Sequence, residues 1–330
     1  MVKCFIMLVM EEVIKSFPKQ FSWEPKIENE DQLQKYSKFI VAGMGGSSLA
    51  ADLLKVYDPI LDLVVHRDYG LPEVADVDLD RTLLIASSYS GNTEETLSAL
   101  DTAIEFGVAV VIISTGGKLL AKAKELGLPY VQLPETGIQP RMATGFSIKA
   151  LLAVLGMEEA AREISLLAKS LDMKAAQKDG EQLAKKLVGK VPVIYASRPN
   201  FPIAYNWKIK FNETGKIPAF ANYFPELNHN EMTGFDFVPA SEKISQNFHF
   251  IFLLDSEDHP RHQKRMEVTA RLYEKKGLAV ERLMLKGGGM WEKIFSNTLI
   301  ADWAAYGIAK ANNADPENVP MIEEFKKLIL

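Results

Sequence analysis

One cysteine, Cys4, is present in 330 residues. It excludes an intrachain disulfide framework and any cysteine-cluster metal site, and it fits a chain of the reducing cytoplasm. Excess charge is equally scarce. Thirty-eight Lys and Arg stand against 43 Asp and Glu, a net charge of -5, and nothing in that balance draws the chain to a nucleic-acid backbone. Long apolar runs are missing too. The opening Met1 to Met10 is apolar, but Glu11 and Glu12 interrupt it well short of the roughly 18 residues a membrane span needs. No small-residue cleavage site follows, so the stretch reads as a first, partly buried helix and not as a signal peptide.

What is present is apolar residues, 47% of the chain, enough to fill two α/β cores. Short β-rich runs alternate with helical patterns, the signature of parallel βαβ units. In the first half the runs are Phe39-Ala42, Leu61-His66, Thr82-Ser87, Ala109-Ser114 and Tyr130-Leu133, with helices expected over Ser48-Tyr57, Thr93-Phe106 and Lys118-Leu126. From Phe146 to Val188 strand signals vanish and helices are expected. The alternation then restarts with strands Val191-Ala196, His249-Leu254 and Val280-Leu285 and helices Phe201-Phe211 and Arg261-Lys276. The expected fold is α/β, two doubly wound parallel-sheet domains packed together, over residues 1–150 and 151–330. No polar linker separates them.

Two loops carry the chemistry. Val41-Ala42-Gly43-Met44-Gly45-Gly46-Ser47-Ser48 sits where a strand turns into a helix, so its amides can meet an anion closely. Glycines there also serve dinucleotide sites, and Asp68 lies near the acidic offset of that fingerprint. Yet Ser47 and Ser48 fit it poorly, and a Walker lysine is missing. The second loop, Ser87-Ser88-Tyr89-Ser90-Gly91-Asn92-Thr93, also follows a strand. In a parallel sheet both loops leave from one edge. The hydroxyls of Ser47, Ser88, Ser90 and Thr93 and the amides around Gly45, Gly46 and Gly91 can then converge on one phosphate. The plainer alternative is that Ser90 and Thr93 only cap a helix.

At this point the chain resembles the sugar isomerase (SIS) domain family, marked by a strand followed by Ser-x-Ser-Gly-x-Thr. More narrowly it resembles the bifunctional phosphoglucose/phosphomannose isomerases. The matching pieces are Met44-Gly45-Gly46-Ser47, Ser88 to Thr93, Gln139-Pro140-Arg141, Asn212-Glu213-Thr214-Gly215-Lys216, Leu227-Asn228-His229-Asn230-Glu231, Asp255 to Arg261, and Asp315-Pro316 to Phe325-Lys326. They run in family order from about 41 to 326.

The resemblance implies an aldose-ketose isomerase acting on sugar 6-phosphates without cofactor or metal. Enediol chemistry needs a base that moves a proton between neighbouring carbons, and Glu213 matches it; read alone, it would be a surface glutamate. Arg141 can steady the enediolate charge, where its bland role would be a surface ion pair with Glu135. Histidine as a residue type can exchange a proton near physiological pH, so His229 suits ring opening. In the family the matching histidine enters from a neighbouring subunit, which implies a homodimer. Lys326 best matches the family's site lysine, with Lys327 and Lys310 left open. His259 and His262 have a spacing that could hold zinc, but Pro260 between them implies a helix start capped by Asp258. A non-catalytic sugar-phosphate sensor and an aminosugar-phosphate isomerase remain the rival readings. No basic recognition helix and no amidotransferase nucleophile support either.

Overall fold

The computed structural model describes residues 10–73 and 76–329. The apolar opening segment, residues 1–9, lies outside them. The chain divides into two compact units, Met1–Ser170 and Leu171–Leu330.

Unit 1 begins with α1 (Met10–Ser16), a 3-10 turn (Phe17–Ser22) and a short strand β1 (Ile27–Glu28). The alternation follows: β2 (Lys38–Ala42), α2 (Gly46–Tyr57), β3 (Leu63–His66), β4 (Thr82–Ser87), α3 (Glu94–Glu105), β5 (Ala109–Ser114), α4 (Gly117–Leu126) and β6 (Tyr130–Gln132). A 3-10 turn over Pro140–Met142 leads into α5 (Thr144–Val154), α6 (Glu158–Ser165) and α7 (Leu167–Ser170). The sheet order is β1-β6-β5-β4-β2-β3, all parallel except β1, which pairs antiparallel with β6. β4 and most of β5 are buried, which is why they read as unbroken apolar runs and not as alternating ones. Ile40, Leu84 and Ile112 from the sheet meet Leu100, Ala103 and Leu119 from α3 and α4 in one core.

The strand order reverses between β2 and β4, whose ends align in register at Ala42 and Ala86. Such a switch point at the carboxyl edge is where open α/β sheets bind ligands. Both glycine- and serine-rich loops leave from it.

Unit 2 contains α8 (Met173–Leu187), β7 (Val191–Ser197), α9 (Phe201–Glu213), β8 (Phe220–Phe224) and two short helices, α10 (Glu231–Gly234) and α11 (Glu242–Ser245). β9 (Phe248–Leu254), α12 (Pro260–Lys275), β10 (Ala279–Met284), α13 (Met290–Ala311) and α14 (Pro320–Leu328) complete it. Its sheet, ordered β10-β9-β7-β8, is parallel throughout. An aromatic cluster fills the core: Tyr195, Phe224, Phe250, Phe252 and Tyr273, with Phe250 and Tyr273 rings 4.5 Å apart.

The strands and helices anticipated from the sequence are present within a few residues at each end. The boundary between units differs. An end at 150 would cut α5, a helix that packs on α2 and on the turn before Trp23, so the three helices α5 to α7 belong to unit 1. β8 and α13 have no counterpart in the sequence reading. β8 is an edge strand with a half-exposed pattern. α13 is buried on nearly all sides, so it lacks the one-sided period that marks a surface helix. No described helix is long and apolar enough to cross a membrane.

Candidate active site

The two loops of unit 1 are bonded into one surface. The Tyr89 amide donates to Ser47 Oγ at 2.9 Å, and Ser87 Oγ donates to the Ser47 carbonyl at 3.1 Å. Ser88 Oγ and Thr93 Oγ1 lie 2.7 Å apart, and the Gly91 amide donates to Ser88 Oγ at 3.1 Å. Ser47 and Ser88 are buried, Thr93 is partly exposed and Ser90 faces solvent, its Oγ accepting from the Asn92 amide at 3.3 Å. Thr93 is the N-cap of α3, but its hydroxyl makes no capping bond, and Gly45 caps α2 without a side chain. The plain capping role is therefore not the one Thr93 fills. Two 12-residue helices point amino ends with no side-chain cap at this edge, where their dipoles favour an anion.

Glycine is required at two points. A Cβ on Gly91, at φ +70°, would lie 1.8 Å from the Gly116 carbonyl oxygen, and one on Gly46 would lie 2.6 Å from the Arg141 amide nitrogen. The first contact seats a third loop beneath the second, where Thr115 Oγ1 donates to the Tyr89 carbonyl at 2.6 Å. The sequence reading missed this support, although the pair Gly116-Gly117 after a strand marks it. The second contact brings the Pro140–Met142 turn against the phosphate loop. Arg141 itself is 1% exposed. Gln20 fixes the turn, donating to the Met142 carbonyl at 2.7 Å and accepting from the amides of Gly145 and Phe146 at 3.0 and 3.2 Å. No sequence signal identifies Gln20, which lies more than 120 residues from these partners.

In unit 2, Glu213 is the last residue of α9 and partly buried. The helix end is tightly held: the Lys210 carbonyl accepts from the amides of Thr214 and Gly215 at 2.9 and 3.1 Å. Lys216 follows at φ +54°, in the left-handed region, and its ammonium bonds the carbonyls of Glu213 and Asn318. A cation over the last carbonyls of a helix complements its negative end. Asn318 is presented by a turn around Asp315, whose carboxylate accepts from the Glu317 amide at 2.8 Å. That bond is the first cause holding the Asp315 carboxyl below the usual range. The Asp315-Pro316 motif thus ties the approach to α14 onto the turn after Glu213.

His229 ends a 3-10 turn (Glu226–His229) whose neighbours are anchored. Leu227 is buried, Asn228 Nδ2 donates to Thr269 Oγ1 at 2.9 Å, and Tyr195 donates to Glu231. The His229 imidazole is exposed and makes no hydrogen bond among the described residues. Lys326 on α14 is 60% exposed and paired with Glu323 at 2.9 Å, while Lys310 lies over the Tyr306 ring at 5.2 Å. The expected cap of α12 is corrected. His259, not Asp258, is the N-cap, its Nδ1 accepting from the Arg261 amide at 3.1 Å, because Asp258 is turned inward to Asn200. No group of three or more His, Cys, Asp or Glu that could hold a metal occurs among the described residues.

The carboxyl edge of the unit 2 sheet is filled differently. Lys293, 7% exposed, bonds Asp255 Oδ2 at 3.1 Å and also Glu257, while Asn200 Nδ2 bridges Ser197 Oγ and Asp255. Glu292 accepts from the Gly288 amide at 2.8 Å. Internal charges occupy the place that open amides hold in unit 1.

The fold defines a SIS-type α/β protein with parallel-sheet domains. The model of the bacterial phospho-glucose isomerase C-terminal SIS domain matches residues 176–329. A bifunctional phosphoglucose/phosphomannose isomerase of Thermoplasma acidophilum is 35% identical over 89% of this chain and 90% of its own length. A D-glucosamine-6-phosphate 4-epimerase of Sulfolobus acidocaldarius is 33% identical over 63% of this chain and 70% of its own. The solved C-terminal domain of a Francisella tularensis glucosamine-fructose-6-phosphate aminotransferase shares the fold at a TM-score of 0.69 and 14% identity, covering 94% of this chain and 98% of that one. The chain belongs to the bifunctional phosphoglucose/phosphomannose isomerase family of SIS-domain proteins.

Proposed function

We propose that the chain interconverts fructose 6-phosphate with glucose 6-phosphate and mannose 6-phosphate through a cis-enediol(ate). The observation that carries this reading is the bonded pair of loops, Ser47 to Tyr89 and Ser88 to Thr93, beneath helix ends that no side chain caps. Ser47, Ser88, Ser90, Thr93 and the amides near Gly45 and Gly46 hold the phosphate. His229 and Lys326 assist ring opening, Glu213 carries the proton between C1 and C2, and Arg141 steadies the enediolate. Rotation about C2-C3 of the open intermediate presents either face to the base, so one site serves both aldoses. Chelator-treated protein is expected to form both aldose 6-phosphates from fructose 6-phosphate. The 4-epimerase relative supports a second reading, which turnover of glucosamine 6-phosphate in the absence of both other activities would establish instead.

The phosphate loop gives a sharper expectation. Ser90→Ala and Thr93→Ala each raise KM about tenfold to a hundredfold with kcat little changed, the loss of one hydrogen bond to a charged group at a remote handle. Thr93→Ala lowers the melting temperature by no more than a few degrees, because its hydroxyl does not cap α3 and gives up only the bond to Ser88. A wild-type KM in both variants sinks the phosphate assignment.

The exposed, unbonded imidazole of His229 supports its action in a neighbouring subunit of a homodimer. If it acts there, Glu213→Gln and His229→Asn chains, each inactive alone, complement when refolded together and recover about a quarter of wild-type activity, from one intact site in each mixed dimer. Mixtures as inactive as the parents would place both residues in one chain's site.

A further inference from the structure

Unit 1 contains a cavity of about 630 Å³, within the size range of small-molecule sites, lined by neither phosphate loop. Much of its wall is apolar, from Leu152 and Ala153 on α5, Met157 in the following loop and Leu166 beyond α6, while Glu158 and Arg162 of α6 line it too. Lys149, on α5 and 1% exposed, also lines it. Its ammonium donates to Ser165 Oγ at 2.6 Å and to Glu24 Oε1 at 3.0 Å. Ser165 Oγ donates in turn to the Ala161 carbonyl at 2.7 Å, so it stands as a neutral acceptor toward the lysine. A charge this deeply buried needs a counter-charge. Among the described residues the only carboxylate bonded to it is that of Glu24, whose side chain is 78% exposed. The isomerase mechanism uses neither residue.

A buried ammonium neutralised by one exposed, rotatable carboxylate is open to exchange. An incoming carboxylate offers Lys149 the same oxygen and adds apolar surface against walls that Glu24 leaves uncovered. We propose that this cavity binds a small organic monocarboxylate with an apolar chain, its carboxylate replacing Glu24 on Lys149. Of the charged groups lining the cavity, Glu24 and Glu158 disfavour a phosphate dianion, and the Arg162 guanidinium is paired with Glu158 at 3.6 Å.

Isothermal titration of the full chain with octanoate tests this, with 1-octanol as the uncharged match and excess inorganic phosphate to fill the catalytic loops. Octanoate is expected to bind saturably, one per chain, with phosphate present or absent, and octanol is not. Glu24→Gln keeps a neutral acceptor near Lys149 but removes its counter-charge, so its fold is checked first by its melting transition; the folded variant tightens octanoate by about threefold or more, since the competing charge is gone. Lys149→Met weakens it by about tenfold or more. No saturable binding to either wild type or Glu24→Gln overturns the proposal, as does displacement by phosphate, equal binding of octanol, or a Glu24→Gln chain that binds no tighter than wild type. None of these outcomes depends on which sugar phosphate the chain turns over.

Discussion

Glu213→Gln is expected to lower kcat by about a hundredfold or more, the share that a positioned general base contributes, while KM stays near wild type. Glutamine keeps the size of the side chain and the end of α9, which is held by backbone and Lys216 bonds that do not involve the carboxylate. The substitution removes the basicity. Isomerisation of glucose 6-phosphate and mannose 6-phosphate should fall together, because both pass through one enediol. Deuterium from solvent should appear at C1 or C2 of product formed by the wild type, since a carboxylate exchanges its proton, whereas a direct hydride shift carries none. A variant keeping more than about a tenth of wild-type kcat, less than about 1.4 kcal/mol of barrier, would exclude Glu213 as the base. Loss of one activity alone would instead break the shared site.

Lys210→Met is expected to cost about 3 to 5 kcal/mol of stability and to lower the melting transition by roughly 10 °C. Lys210 and Asp302 form an ion pair at 2.5 Å with side chains 1% and 2% exposed, joining α9 to α13. Removing the ammonium takes from the buried Asp302 carboxylate the charge-assisted bond that Lys210 gives it. Replacing both, as Lys210→Met with Asp302→Leu, should recover most of the loss, because an apolar pair of similar volume carries no desolvation cost. Calorimetry distinguishes the outcomes: a single variant melting within about 2 °C of wild type would mean that losing the ammonium carries no penalty for the buried carboxylate.

Much of the fold was legible because its signals are local. Strands β2, β4 and β5 are runs of apolar residues closed by glycine or serine, and the loops after β2 and β4 carry their chemistry within a few residues. Glu213, His229 and Arg141 were legible differently. Their neighbours in the chain resemble a family, while the residues taken singly read as surface charges. The structure gives Arg141 a buried place and gives His229 anchored neighbours, neither of which residue type or spacing announces.

The sequence by itself determined the order of most elements, though not β1, β8 or α13, the class of fold and the two loops at one sheet edge, since hydrophobic period and turn residues act over a handful of positions. Only the tertiary structure decided how those pieces are held. It placed Gln20 on the Arg141 turn, Ser47 under Tyr89, and Lys210 on Asp302, partners 42 to 126 residues apart. It assigned α5 to α7 to unit 1 and the cap of α12 to His259. A hydrogen bond or ion pair across such a separation leaves no period along the chain, because its geometry exists only once the intervening segments have packed.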